Sequence, residues 1–481
     1  MKPTMLATAL AVTLVCGMPA SYARTASASP ATSPSQEDLQ QRSVERSAVE
    51  AVVWGMPAVN FQLMLDAFIA MGGAPNQVIY WSRPVNWRNQ TLTPNPETIY
   101  FTPFYDTTNG PVVLDVPAAG NDDSITGSID DGWQNAIADV GPAGTDKGKG
   151  GSYLILPPNY KHTVPEGYIA LRSSTFRGFA LLRSNVKSGG DKDIADAVAY
   201  GRRIKLYPLS TGASGAPETR FVDAYDKPYD ATIPYDGHYF DALNRFVQAE
   251  PWLERDRVMI DTLGSLGIVK GQPVHLEEAN KATVERGAKE AHALIRLWTD
   301  EALAKSPFYD GAHWALPVTA ETIKGMSDNF PDTNSYPVDN RAVMYSLGYF
   351  SAKQLGAGQF YLMVTRDSQG NALDGNRTYR LHVPANPPVK LYWSVTAYDA
   401  ETHALIRDTS WSSRGSNTPG LKKNPDGSVD IVFGPKAPAG QEVNWMPTSP
   451  HGRFELLFRL YGPEKAFFDK AWKLPDLELQ R

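Results

Sequence analysis

The stretch Leu391-Tyr392-Trp393-Ser394-Val395-Thr396-Ala397-Tyr398 decides the reading of the fold, because its apolar residues fall on alternate positions. A β-strand turns successive side chains to opposite faces, so Leu391, Trp393, Val395 and Ala397 share one face and Tyr392, Ser394, Thr396 and Tyr398 the other. Residues 454–461 repeat the pattern, with Phe454, Leu456, Phe458 and Leu460 set against Glu455, Leu457, Arg459 and Tyr461. Each strand therefore has an apolar core face and an aromatic-polar face. The second face either lines a cavity, where tyrosine hydroxyls and an arginine orient a ligand, or packs against a neighbouring domain or subunit.

Strands at 361–365, 379–383 and 429–433, separated by turn chemistry such as Asp367-Ser368-Gln369-Gly370 and Asp374-Gly375, extend this pattern into a C-terminal β-sandwich over 316–481. Upstream the period changes. Between 284 and 302, Val284, Ala288, Ala291, Ile295, Trp298 and Ala302 recur in steps of four and three, with Leu294 and Leu297 widening the stripe, which predicts an amphipathic helix. Glu285, Lys289, His292 and Arg296 form its other face, read as solvated surface. This helix, with one opened by Asp191, places a helical domain at 191–315. Short alternating runs at 99–105, 112–116, 153–156, 168–171 and 179–182 predict an antiparallel sandwich or barrel in an N-terminal β domain, 41–190. A helix leads it, starting near Ser43, kinking or stopping before Pro57 and ending at Gly72-Gly73. The fold class is α+β and β-rich.

The first residues read differently. Lys2, an apolar run from Met5 to Met18 and the small-residue end Ser21-Tyr22-Ala23 predict a signal peptide over 1–23, followed by a disordered leader over 24–40. The run is shorter than the ~20 residues of a membrane span, so no transmembrane span is expected and the mature chain is placed in the periplasm or outside the cell. Acylation of Cys16 and an uncleaved anchor are the alternatives. Cys16 is the sole cysteine, so cleavage removes disulfides, thiolate nucleophiles and zinc-thiolate sites from the mature chain.

Composition excludes further classes. A chain of 481 residues exceeds one ordinary core, and 42% hydrophobic with 20% charged residues is neither disordered nor coiled-coil. A net charge of −6 without long runs of one sign argues against a nucleic-acid partner. The nucleophile elbow, the phosphate-binding loop, the dinucleotide fingerprint and His-Glu-x-x-His are all missing, and the eight histidines stand singly. No metal and no cofactor are expected. Asp122, Asp123, Asp130 and Asp131 lack the spacing of a calcium loop and read as solvated. In Thr93-Pro94-Asn95-Pro96-Glu97-Thr98-Ile99-Tyr100 two prolines lock a loop that offers Asn95, Glu97 and Tyr100 at fixed positions, as a site or as a rigid turn.

That last motif, together with Trp54-Gly55-Met56-Pro57, Gly110-Pro111-Val112-Val113-Leu114, Tyr392-Trp393-Ser394-Val395-Thr396-Ala397-Tyr398-Asp399, Asn444-Trp445-Met446-Pro447 and Phe458-Arg459-Leu460-Tyr461-Gly462-Pro463, resembles the paired domain-of-unknown-function families 1254 (N-terminal) and 1214 (C-terminal). The resemblance covers nearly all of 45–478. It implies an immunoglobulin-like β domain, a helical segment and a jelly-roll-like β-sandwich in exported bacterial proteins, and it assigns no activity. The family motif more often has Asp where this chain has Glu97, and often Asn at Pro96. Motifs and strand faces together give the ligand-binding candidates Asn95, Glu97, Tyr100, Trp393, Tyr398, Asp399, Arg414, Asn444, Trp445 and Arg459. Of these, Tyr100, Tyr398, Arg459 and Trp445 are expected around one cavity shared by the β domains.

Three classes of function follow. One is an enzyme with Glu97 or Asp399 as acid or base and Arg459 or Arg414 holding an anion. Another is a binder of an unidentified small molecule in the same cavity. The third is a structural, self-assembling homo-oligomer in which the motifs serve packing.

Overall fold

In the computed structural model, residues 33–480 are described apart from 122, 188, 329, 333, 350 and 355–357, so the expected signal peptide, Cys16, Asp122 and most of the expected leader lie outside the described residues. The leading helix runs unbroken over Gln36–Ala70 with Pro57 inside it. It therefore starts within the segment expected to be a disordered leader, and it neither stops nor restarts at the proline. An interior proline costs a helix about 3 kcal/mol. Residues 51–60 are all buried, however, and apolar contact on every side outweighs that penalty. Gly72, at φ 82°, ends the helix where a side chain would be strained. By length and composition this helix could cross a membrane, yet 83% of its most apolar window is buried inside the protein, as in a core helix.

Residues 41–481 form one compact unit. Its N-terminal part holds a six-stranded sheet in the order Phe221–Asp223, Gln77–Tyr80, Ile99–Asp106, Arg177–Ser184, Ile125–Asp131, Ala136–Val140, and a four-stranded sheet in the order Lys205–Pro208, Val112–Val116, Gly151–Leu156, Ile169–Arg172. One core lies between them, built from Ile99, Phe101, Ile129 and Leu182 of the first sheet and Val112, Leu114, Tyr153 and Ile155 of the second. The opposite face of the six-stranded sheet, with Ile79, Tyr100, Phe104 and Leu181, joins a second core containing the long helix. The acidic stretch read as a solvated loop belongs partly to this sheet: Asp130 and Asp131 are 0% and 2% exposed at the end of Ile125–Asp131. Local hydrogen bonds explain this. Asp131 accepts from the backbone N–H groups of Trp133 and Asn135 and from Ser174 Oγ, and Asp130 accepts from Ser128 Oγ. Burial pushes the Asp130 carboxyl well above the usual range.

The segment 191–315 is mixed. It supplies the helices Asp191–Gly201, Gly237–Ala249, Met259–Gly264 and Glu278–Lys305, and also strands Lys205–Pro208, Phe221–Asp223 and Tyr229–Asp230. In Glu278–Lys305 the stripe buries Val284, Ala288, Ala291 and Ile295, but Trp298 is half-buried and Leu297 is 52% exposed, so the apolar face is narrower than expected. His292 corrects the solvated reading of the other face. Its ring stacks on Tyr235 at 3.8 Å, because the chain entering helix Gly237–Ala249 crosses there.

The C-terminal part stacks two sheets, ordered Gln359–Val364, Phe454–Tyr461, Trp393–Asp399, Ser413–Gly415 and Trp445–Pro447, Val429–Gly434, Tyr379–Val383, Glu478–Leu479. The face expected from alternation is the one between them, where Trp393, Val395, Leu456 and Phe458 meet Leu381, Ile431 and Phe433. The second face of the first sheet, with Met363, Tyr398 and Leu457, joins the core of the long helix. The fold is thus mixed α+β, with one sheet from each part turning a face to the same helical layer.

Candidate functional site

Ladder registers place the chemistry. In the six-stranded sheet Tyr100 pairs with Arg183 and Arg183 with Thr126, while Ser128 pairs with Leu181. In the facing C-terminal sheet Tyr361 pairs with Arg459, Arg459 with Ser394, and Gln359 with Tyr461. Between the two faces is a cavity of about 960 Å³, also walled by the 89–98 loop and the end of helix Val338–Leu347. Polar lining comes from Asn95, Glu97, Tyr100, Arg183, Arg459 and Tyr461, and apolar lining from Met64, Leu181, Met344, Leu347, Met363 and Leu457.

The proline-bounded loop is fastened to the C-terminal sheet. Thr93, at φ 39°, is strained for a β-branched residue. Its N–H donates to His403 O at 2.7 Å, its Oγ1 donates to Leu347 O at 2.8 Å, and its carbonyl accepts from Arg459 at 3.2 Å. Tyr398 OH donates to Pro94 O at 2.7 Å, and Tyr461 OH donates to Asn95 Oδ1 at 3.0 Å. Asn95 N–H donates in turn to Tyr100 OH at 3.0 Å. The prolines fix φ at positions 94 and 96 of this bent loop, so its polar groups meet the sheet in one arrangement.

The electrostatics are unbalanced. Arg459 is 1% exposed, and its hydrogen bonds go to neutral oxygens: Thr396 Oγ1 at 2.8 Å, Tyr398 OH at 2.6 Å and the Thr93 carbonyl. Arg459 Nε, Arg183 Nε and Asn95 Nδ2 are buried without an acceptor among the described residues. Arg183 lies over the Tyr100 ring, 5.5 Å from its centroid. Burial raises the Glu97 carboxyl above its ordinary range, while Ser413, Arg459, Asn417 and Arg414 pull it back. Burial also pushes the Tyr461 and Tyr392 hydroxyls up, so both stay protonated donors. Asp139 also lines the cavity, but its carboxylate accepts from the N–H groups of Lys353 and Gln354 at 2.8 Å each.

Of the ten candidates from sequence, Asn95, Glu97, Tyr100 and Arg459 line the cavity, and Tyr398 stands behind Arg459. The others lie elsewhere. Trp393 is in the C-terminal core, stacked on Phe458 with centroids 5.3 Å apart. Asp399 accepts from the N–H groups of Glu401 and Thr402 and shapes a turn. Arg414 stacks 4.0 Å from the Trp411 ring and donates to Val443 O, with Glu97 as its charged neighbour. Asn444 donates to Lys422 O and Asp430 O, and Trp445 donates to Gly434 O on the other C-terminal sheet. Trp445 is therefore not part of the shared cavity, because its strand belongs to the far layer of the sandwich. Sequence reasoning missed Arg183, Tyr361 and Tyr461. A charge in phase with Phe179 and Leu181 was the signal for Arg183.

Comparison with known proteins gives two family matches. Residues 75–208 match a protein of unknown function family, DUF1254, and residues 358–465 match another, DUF1214. No curated protein matches the chain. Among solved structures, the VPA0106 protein from Vibrio parahaemolyticus is 18% identical with a TM-score of 0.55, over 91% of this chain and 100% of that one, which is a likeness of fold. A putative uncharacterized protein from Burkholderia cenocepacia is 10% identical with a TM-score of 0.39, over 92% of this chain and 94% of that one. The chain carries the DUF1254 and DUF1214 segments as a pair, in that order from N- to C-terminus.

Proposed function

We propose that the protein binds a small molecule in the cavity between the six-stranded sheet and the first C-terminal sheet. The supporting observation is the volume itself. Two faces that served only to pack would close to the density of an ordinary interior, whereas about 960 Å³ remains between these, at the upper end of ligand-pocket sizes. Both family segments contribute to the wall, with Tyr100 and Arg183 from the first and Tyr361, Leu457 and Arg459 from the second. The proposal includes export, from the signal-like residues 1–23, and N-terminal sequencing of the mature product is expected to begin at Arg24.

Titration with a neutral, polarity-sensitive dye such as N-phenyl-1-naphthylamine tests the cavity. Saturable one-to-one binding is expected, and Leu457→Phe, which fills space, is expected to weaken it about tenfold. Absence of saturable binding, or binding indifferent to Leu457→Phe and to a second filling variant, Met344→Phe, overturns the reading.

A further inference from the structure

We infer that the ligand is an amphipathic monocarboxylate, its head against Arg183 and Arg459 and its aliphatic body against the methionines and leucines of the same cavity. This rests on the proposal that the cavity is a ligand site, and it adds the chemistry.

Charge gives the head. Two guanidinium groups, which stay ionised at any physiological pH, belong to the lining, and neither donates a hydrogen bond to a carboxylate among the described residues. Glu97 interacts with Arg459 and Arg414, and Asp130, the carboxyl that interacts with Arg183, is held toward its neutral form by burial, so guanidinium charge exceeds carboxylate charge around the cavity. Asp139 is held by two backbone N–H groups at the Lys353 turn. A buried cation without a counter-charge is unfavourable, and a ligand that brings the missing anion gains what the free protein lacks. A single negative charge with two coplanar oxygens suits guanidinium geometry.

The apolar part of the lining gives the body. Met64, Leu181, Met344, Leu347, Met363 and Leu457 are each no more than 8% exposed and supply no hydrogen-bonding side chain apart from thioether sulfur. Methionine adapts its shape to a flexible chain, which favours an aliphatic body over a rigid polar one such as a sugar. Each methylene buried there is expected to strengthen binding about fourfold.

The test is calorimetric titration of the full-length protein with propionate, octanoate, decanoate, dodecanoate, dodecanol and dodecylammonium. Dodecanoate is expected to bind at least tenfold more tightly than dodecanol, with affinity rising from octanoate to dodecanoate and with dodecylammonium weakest. Arg183→Gln is expected to remove most of the preference for carboxylate over alcohol while leaving dodecanol affinity within about twofold. Arg183 is chosen because Arg459 also holds the Thr93 carbonyl. Dodecanol equal to or tighter than dodecanoate, or a carboxylate preference untouched by Arg183→Gln, overturns the assignment of the head. Propionate as tight as dodecanoate overturns the assignment of the body. Either result leaves the cavity reading standing if the neutral dye still binds, whereas failure of dye, alcohol and acid together removes that reading as well.

Discussion

The Arg459 guanidinium donates to the Tyr398 hydroxyl at 2.6 Å, and that hydroxyl donates to the Pro94 carbonyl at 2.7 Å. One arginine on a C-terminal strand thus fixes a tyrosine on the next strand, and the tyrosine holds the loop that leads into strand Ile99–Asp106. The same arginine lines the cavity, so the packing role and the proposed ligand contact fall on one side chain.

Tyr398→Phe is expected to lower stability by about 1 to 3 kcal/mol, because Pro94 O loses its donor and Arg459 one of its acceptors in a buried place. Arg459→Ala is expected to cost more, about 3 to 5 kcal/mol, since it opens a void beside those same groups. Urea unfolding monitored by circular dichroism measures both. An Arg459→Ala variant as stable as the parent would mean that the loop is held by its other hydrogen bonds alone.

Two histidines near the helix Glu278–Lys305 should titrate in opposite directions. Burial, then Arg296 and His403, lower His292 to about 4. Burial also disfavours the charged form of His403, but Glu455, whose carboxylate lies 2.8 Å from its Nδ1, overrides this and raises it above 6.5. The lowered group contributes stability that is present above 6.5 and lost as pH falls toward 4. The raised group contributes stability that is complete below 6.5 and lost as pH rises through its folded value. Nuclear magnetic resonance titration should separate the two rings on either side of 6.5. The melting temperature of His292→Phe should also fall less than that of the parent between pH 6.5 and 4.

The same helix shows how far the sequence could be read. Steps of three and four located Val284, Ala288, Ala291 and Ile295, because burial of a helix stripe follows its period. The width of the stripe, and the cover over His292, depend on Tyr235 and on the path of another segment, which no local pattern records. Strands behave alike. Alternation over 391–398 and 454–461 gave the core face from Trp393 onward, since the period of two is set by the backbone itself, but not at Leu391, which precedes the strand and is 72% exposed. It could not tell which polar residues on the remaining faces meet across the cavity. Arg459 and Glu97 do, while Trp445 and Asn444 sit in the far layer. Arg183, on a strand whose neighbouring positions are apolar, needed the register with Tyr100 before its place became visible.

Within that helix Ile295→Ala is expected to cost about 2 to 4 kcal/mol, as Ile295 is 2% exposed in the core. Trp298→Ala, at a half-buried position, is expected to cost less despite the larger side chain. Thermal melts of the two variants give the order directly. A larger loss at Trp298 would place the centre of the packed stripe one turn further along the helix.

Glu97 supplies the last prediction. Burial raises its carboxyl above the ordinary range, with Ser413, Arg459, Asn417 and Arg414 opposing. For an acid raised on folding, the stabilising contribution is complete below the unfolded value and is lost as pH rises through the folded one. At pH 7 the ionised carboxylate is therefore the form that the fold disfavours. Glu97→Gln keeps the shape and removes the charge, so its melting temperature at pH 7 is expected to equal or exceed that of the parent, and the difference is expected to shrink toward pH 4. Affinity should move as well. Removing the Glu97 carboxylate, which interacts with Arg459, leaves more positive charge at the cavity, and dodecanoate should bind Glu97→Gln more tightly than the parent at pH 7 while dodecanol binds unchanged. A variant less stable at pH 7 by several degrees would show instead that attraction to Arg414 and Arg459 exceeds the cost of burial, making Glu97 the counter-ion that the ligand was inferred to provide.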